Sequence, residues 1–365
     1  MLSTGVGDSA TPSVARPVPS PDPAPEPATT EPTSPAAARV TRALRGLAIA
    51  ACAPYLGLKI AWAAGSHLGI PPGSTLLEHR SGMVVGSIDS AVLDSIVVVL
   101  ALLLTRPWGR RIPTWLLVLP VWTATGLLCP IVVGYPLQLA ARLLGGNTKP
   151  AGGSADRPFL HQWVFAVVYS GFIVQALALG ALFVLYAGRR WGHLWQGRIS
   201  APAQRGPVRR TQRGAVLMAS ALVLVPTGTH LAWATGSTAG LTAAQVADRT
   251  SDFYALEASY VILAVVALSG LLLIAFPPAR ALPVWLPLSM ATVGSSALAC
   301  WGGYLMLTAL ANRDPSQRIS ELMNLTYTTQ LLVGALVFTT AAYFFAERAE
   351  EREQPPTAPP QDVTA

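Results

Sequence analysis

Between Tyr260 and Phe276 the chain reads YVILAVVALSGLLLIAF, an apolar run without a single charge. A similar block, SIVVVLALLL, starts at Ser95. A run of about 20 mostly apolar residues matches the hydrocarbon thickness of a bilayer when it is coiled as a helix. In lipid a segment must satisfy its own backbone polar groups, and continuous rather than alternating apolar runs select helices over a barrel. Eight such spans are expected, near residues 43–64, 84–105, 112–134, 161–187, 214–235, 254–276, 282–307 and 326–346. Charged residues make up 12% of the 365 positions, against about 25% in soluble domains. That is too little polar surface to wet a globule of this size. The expected fold class is all-α, a polytopic membrane helix bundle.

The basic residues orient it. Of the 25 Lys and Arg, 17 fall in tails and loops on the side of the N-terminus, 7 fall on the other side, and Lys59 lies within a span. The orientation rule then places both termini in the cytoplasm. The net charge of +7 is explained by these short basic loops, so nucleic acid is not expected as a partner. Residues 1–40 are rich in Pro and Ala and read as a disordered cytoplasmic tail, as do residues 348–365. Residues 191–213 form a basic linker near anionic headgroups.

The two membrane regions on either side of that linker, 41–190 and 214–347, repeat one another. GLKIAWAAGS from Gly57 returns as GTHLAWATGS from Gly228, identical at six of ten positions. LLLTRPWGRRIPTW from Leu102 aligns with LLIAFPPARALPVW from Leu272, and Gly134-Tyr135 aligns with Gly303-Tyr304. Chance produces matches of Leu and Ala in apolar sequence, but rarely ordered Trp, Pro, Gly and Arg at one offset. Two parallel four-helix repeats are expected, related by an axis along the membrane normal.

Charged groups inside spans are costly, roughly 2.5–3.5 kcal/mol each on insertion scales. Lys59 lies in the first span, and Asp89 and Asp94 lie in the second, within reach of it. His230 takes the place of Lys59 in the second copy, and Glu257 falls within two positions of the place of Asp89. Each half is therefore expected to hold one base and one carboxylate between its first two helices. Lys59 would stay charged, while a histidine titrates near neutral pH. The competing reading has Lys59 snorkel to the headgroups and the carboxylates sit in interfacial water. Pro54 with Gly57, and Pro226 with Gly228, are expected to kink the first helix of each copy. Trp62 and Trp233 read as interface anchors. The pairs Gly65 with Gly69 and Gly236 with Gly240 have the spacing that lets helices approach closely.

No P-loop, GxSxG elbow or other catalytic constellation is present, so no enzymatic activity and no cofactor are expected. The histidines show no metal-binding spacing, and Cys52, Cys129 and Cys300 lie in apolar segments as small hydrophobes. In its Ala-, Gly-, Pro- and Arg-rich style, its Pro-rich tail and its eight spans, the chain resembles the uncharacterised multi-pass membrane proteins of high-GC actinobacteria. The resemblance is one of composition and layout. It implies a bacterial cytoplasmic membrane location and no particular activity. Two functions fit the residues. One is a carrier- or permease-like protein taking a small solute or a proton at a polar site in the outer half of the bundle. The other is a non-catalytic subunit or scaffold that binds a protein partner. Both work from within the lipid bilayer.

Overall fold

The computed structural model describes residues 35–78, 80–146, 160–195, 197–199, 207–247, 249–276, 282–311 and 319–353. The first half comprises α1 (Pro35–Ala63), the short α2 (Thr75–Glu78), α3 (Arg80–Thr105), a 3-10 turn at Pro107–Arg111, α4 (Thr114–Leu143) and α5 (Gln162–Trp195). The second half comprises α6 (Pro207–Leu222), α7 (Leu224–Ala234), the short α8 (Ala243–Ala247), α9 (Ser251–Ala275), α10 (Trp285–Ala311) and α11 (Glu321–Glu353). Seven helical stretches among the described residues are long and apolar enough to cross a membrane: those on α1, α4, α5, α6 with α7, α9, α10 and α11. The chain is an all-α polytopic membrane helix bundle. The expected span at 84–105 falls on α3, whose apolar part is Asp94–Thr105.

Three boundaries differ from expectation. α1 starts at Pro35, inside the segment read as a tail, because proline suits a first helical turn and three alanines follow it. α11 runs on to Glu353 through ERAEERE, whose Ala, Glu and Arg are strong helix formers. α5 runs to Trp195 and α6 starts at Pro207, so the linker is shorter than 191–213. Within it, β1 (Arg198–Ile199) pairs antiparallel with β2 (Leu282–Pro283), the segment that leads into α10. Most of both expected tails, and the Gly-rich loop before α5, lie outside the described residues.

Each half buries a core of its own. Ala48, Leu100, Ala101, Leu179 and Leu182 join α1, α3 and α5. Val216, Ala264, Leu271, Ala291 and Val337 join α6, α9, α10 and α11. α4 breaks the parallel. It lies against α9 and α10 of the other half, and against α5, and barely meets α3. In the second half α9 and α10 pack tightly because small residues let the backbones meet. A Cβ added at Gly270 would lie 2.4 Å from Ala291 N, and one at Gly294 would lie 2.5 Å from Ala267 N. At the repeat offset these glycines correspond to Leu100 and Ala124, so α3 and α4 lack the glycine-to-backbone contact that joins α9 and α10. α4 is fixed on the other half by Trp122 Nε1, which donates to Ser295 Oγ at 3.4 Å, and by Trp301 Nε1, which donates to Leu127 O at 3.1 Å. Arg142 closes the far end with a two-point contact to Asp252 on α9, its Nε 3.0 Å from Oδ1.

The phrase written twice builds one turn twice. Trp62 Nε1 donates to Leu68 O at 2.7 Å, and Trp233 Nε1 donates to Ala239 O at 2.8 Å. Gly65 and Gly236 end their helices in the left-handed region, at φ 91° and 105°, where an L side chain is strained. The Ser66 and Ser237 hydroxyls then accept from the backbone N–H two residues on. Both tryptophans are buried. They are loop clamps rather than interface anchors, and the glycine pairs shape turns rather than helix crossings. Trp62→Phe and Trp233→Phe should each cost about 1 kcal/mol, the net value of one hydrogen bond. Thermal unfolding in detergent measures this. A loss in one copy but not in the other would mean that the two turns are not equivalent.

Candidate functional site

Helices one, two and four of each half bring a base, a carboxylate and a glutamine together. In the second half these are His230 on α7, Glu257 on α9 and Gln330 on α11. Pro226 stands in the first turn of α7, and the helix breaks at Val223 between α6 and α7. Val223 itself keeps helical dihedrals, φ −66° and ψ −20°, and α1 continues as one helix through Pro54. Gly57 and Gly228 face open space. His230 Nδ1 lies 2.5 Å from Glu257 Oε2, and its Nε2 lies 3.4 Å from Gln330 Oε1. His230 is 2% exposed, Glu257 7% and Gln330 0%. The imidazole is walled by Tyr260, with ring centroids 4.8 Å apart, and by Trp233 at 5.5 Å.

This arrangement has a definite chemistry. Both ring nitrogens face oxygen atoms, so an imidazolium would donate to Glu257 on one side and to Gln330 on the other. A neutral ring that keeps its proton on Nδ1 needs the Gln330 amide turned over, so that its N–H donates to Nε2. Gln330 Nε2 has no hydrogen-bond partner. The amide therefore has a free donor to offer in the second arrangement.

In the first half the residues are Lys59 on α1, Asp94 on α3 and Gln175 on α5. Asp94 is 4% exposed and Gln175 2%. The Gln175 amide lies near the Asp94 carboxylate, which is also in the field of Lys59. The ammonium of Lys59 sits over two rings of its own helix, 5.0 Å from the centroid of Tyr55 and 5.3 Å from that of Trp62. Asp94 Oδ2 and Gln175 Oε1 have no hydrogen-bond partner. Asp89 lies on α3 one to two turns nearer its start, with its side chain outside the described residues.

Sequence reasoning thus found the base and carboxylate of the second half, and in the first half Asp94 is the carboxylate shown beside Lys59. It missed both glutamines. Gln175 is a lone amide in an apolar run, FIVQALALG, and that isolation was the available signal; Gln330 closes the polar stretch NLTYTTQ, which gave none. Glu257 stands six residue rises, about 9 Å, inside the start of α9 by the count of its helix, and Asp94 about 21 Å inside α3. Among the described residues no group of three or more His, Cys, Asp and Glu could hold a metal ion. No known protein family, curated protein or solved structure matches the chain.

Proposed function

We propose that this is a non-enzymatic, carrier-like protein of the bacterial cytoplasmic membrane that crosses it eight times, with both termini inside, as two duplicated four-helix halves. His230, Glu257 and Gln330 form its proton-binding site, and Lys59, Asp94 and Gln175 form a fixed-charge counterpart. The observation that carries this reading is the 2.5 Å contact between the imidazole and carboxylate, sealed among apolar helices. Ionisable groups at such positions are expensive and mark proton or solute pathways. The duplicated Trp clamp supports the two-half architecture, and the excess of basic residues supports the orientation.

The test is proton movement in proteoliposomes carrying a trapped pH dye, with solute gradients applied in turn. Solute-driven acidification is expected from the native chain. Glu257→Gln and His230→Gln should each reduce it at least tenfold while insertion and monodispersity are kept. Flux that survives both substitutions overturns the mechanism. The second reading is a non-catalytic membrane subunit or scaffold that binds a protein partner. It requires co-purification with a defined partner and tolerance of substitution at Lys59 and Glu257.

A further inference from the structure

The separation of α3 from α4 leaves a cleft of about 400 Å³ on the outside of the first half. Val92, Ile96, Val99 and Leu103 line it from α3, and Leu116 and Pro120 line it from α4. Its one polar lining residue, Ser95, has its hydroxyl committed to Ala91 O at 2.7 Å. Nothing in the wall can therefore recognise a polar solute. From Val92 to Leu103 the cleft is about 16 Å long at the rise of an α-helix. That is close to one leaflet of hydrocarbon, half of about 30 Å.

Beyond Leu103 and Leu116, at one end of the cleft, the 3-10 turn Pro107–Arg111 joins the two helices. Arg106 and Arg111 are exposed at this end, as are Trp108 and Trp115. Basic residues with tryptophans at the end of apolar helices mark the headgroup level. A cleft one leaflet deep, apolar along its length and basic at its mouth, is complementary to a lipid with a negative headgroup. A transmembrane helix would need a groove about twice as long, and its path ends at the turn.

We propose that this cleft is a binding site for one anionic phospholipid, an acyl chain lying between α3 and α4 and the phosphate held by Arg106 and Arg111. The counterpart space in the second half is closed by Gly270 and Gly294, so the structure assigns one such lipid to the first half and none to the second. The site is independent of the polar clusters and of whether the protein transports anything.

The experiment uses the purified full chain, delipidated in detergent and offered equal amounts of phosphatidylglycerol and phosphatidylcholine with identical chains. Native mass spectrometry reads what is retained. One phosphatidylglycerol per chain is expected, in clear preference to phosphatidylcholine. Arg106→Gln with Arg111→Gln should lower its affinity about thirtyfold, from the usual strength of two basic side chains beside an anionic headgroup. Val99→Trp, which fills the cleft, should lower it too. Arg189→Gln, an exposed arginine on a different helix, should leave it unchanged. Equal retention of the two lipids overturns the proposal, as does an equal loss with Arg189→Gln. Retention unchanged in folded Val99→Trp overturns the acyl-chain placement. A dimer or a bound protein that this variant releases would make the cleft a protein contact instead. Should Val99→Trp fail to fold, the comparison of the arginine variants still decides.

Discussion

Replacing Glu257 with leucine should destabilise the bundle by about 3 kcal/mol, the cost of removing one partner from a buried pair. His230→Leu should cost a similar amount. The double variant should cost less than either change alone. The reason is what each single change leaves behind. Without Glu257, the Nδ1 side of His230 faces Tyr260 and Trp233 with no acceptor, in a place that is 2% exposed. Without His230, a carboxylate is left among apolar helices. Losing both leaves apolar surface on apolar surface, with only the Gln330 amide to satisfy. Unfolding of the four proteins in mixed detergent gives the cycle, and the coupling is the departure from additivity. Strict additivity would mean that the contact contributes nothing beyond its separate parts. Stability and flux also separate here. Glu257→Gln keeps a hydrogen-bonding oxygen beside the imidazole and should retain most of the stability while losing proton movement.

Gly126→Ala is the second change with a large expected effect, about 3 kcal/mol, at the upper end of ordinary overpacking. The new methyl group would stand 2.3 Å from Ser296 O and 2.7 Å from Cys300 Sγ. The first of these is backbone and cannot turn aside, so α4 and α10 must part. The Trp122 and Trp301 hydrogen bonds flank this crossing and would stretch with it. Gly228→Ala is the matched control. Its Cβ meets nothing within 4 Å, and alanine in a helix interior gains about 0.5–1 kcal/mol over glycine. Thermal unfolding of the two variants should move in opposite directions. Equal shifts would place the crossing elsewhere.

Much of the architecture could be read from the chain because its causes are local. A long apolar run dictates a helix whatever surrounds it, and seven of the eight expected spans fall on helices long and apolar enough to cross a membrane. The His230 and Glu257 pair was legible because charge in an apolar run is conspicuous. What stayed hidden depends on neighbours distant in sequence. Gln175 and Gln330 carry no charge, and only the packing of the fourth helix of each half brings them to the carboxylate or the imidazole. Trp62 and Trp233 occur where interfacial tryptophans commonly do, and only the course of the following loop shows that they are buried clamps. The position of α4 was illegible for a subtler reason. Leu100 in place of a glycine is an unremarkable apolar residue until α9 and α10 show what a glycine there achieves.

That position of α4 has a consequence for how the protein is made. α1, α3 and α5 can settle against one another as soon as they leave the ribosome. α4 can do so only in part: it meets α5, and its Leu117 and Val121 join the first core, but its partners on α9 and α10 do not yet exist. Leu143 is synthesised about 170 residues ahead of Ala311, a wait of roughly 10–30 s at ordinary elongation rates. During that interval the face bearing Trp122 and Gly126 meets lipid or the insertion machinery instead of protein. Assembly of this chain therefore has a built-in pause, and the first half becomes complete only when the second has been born.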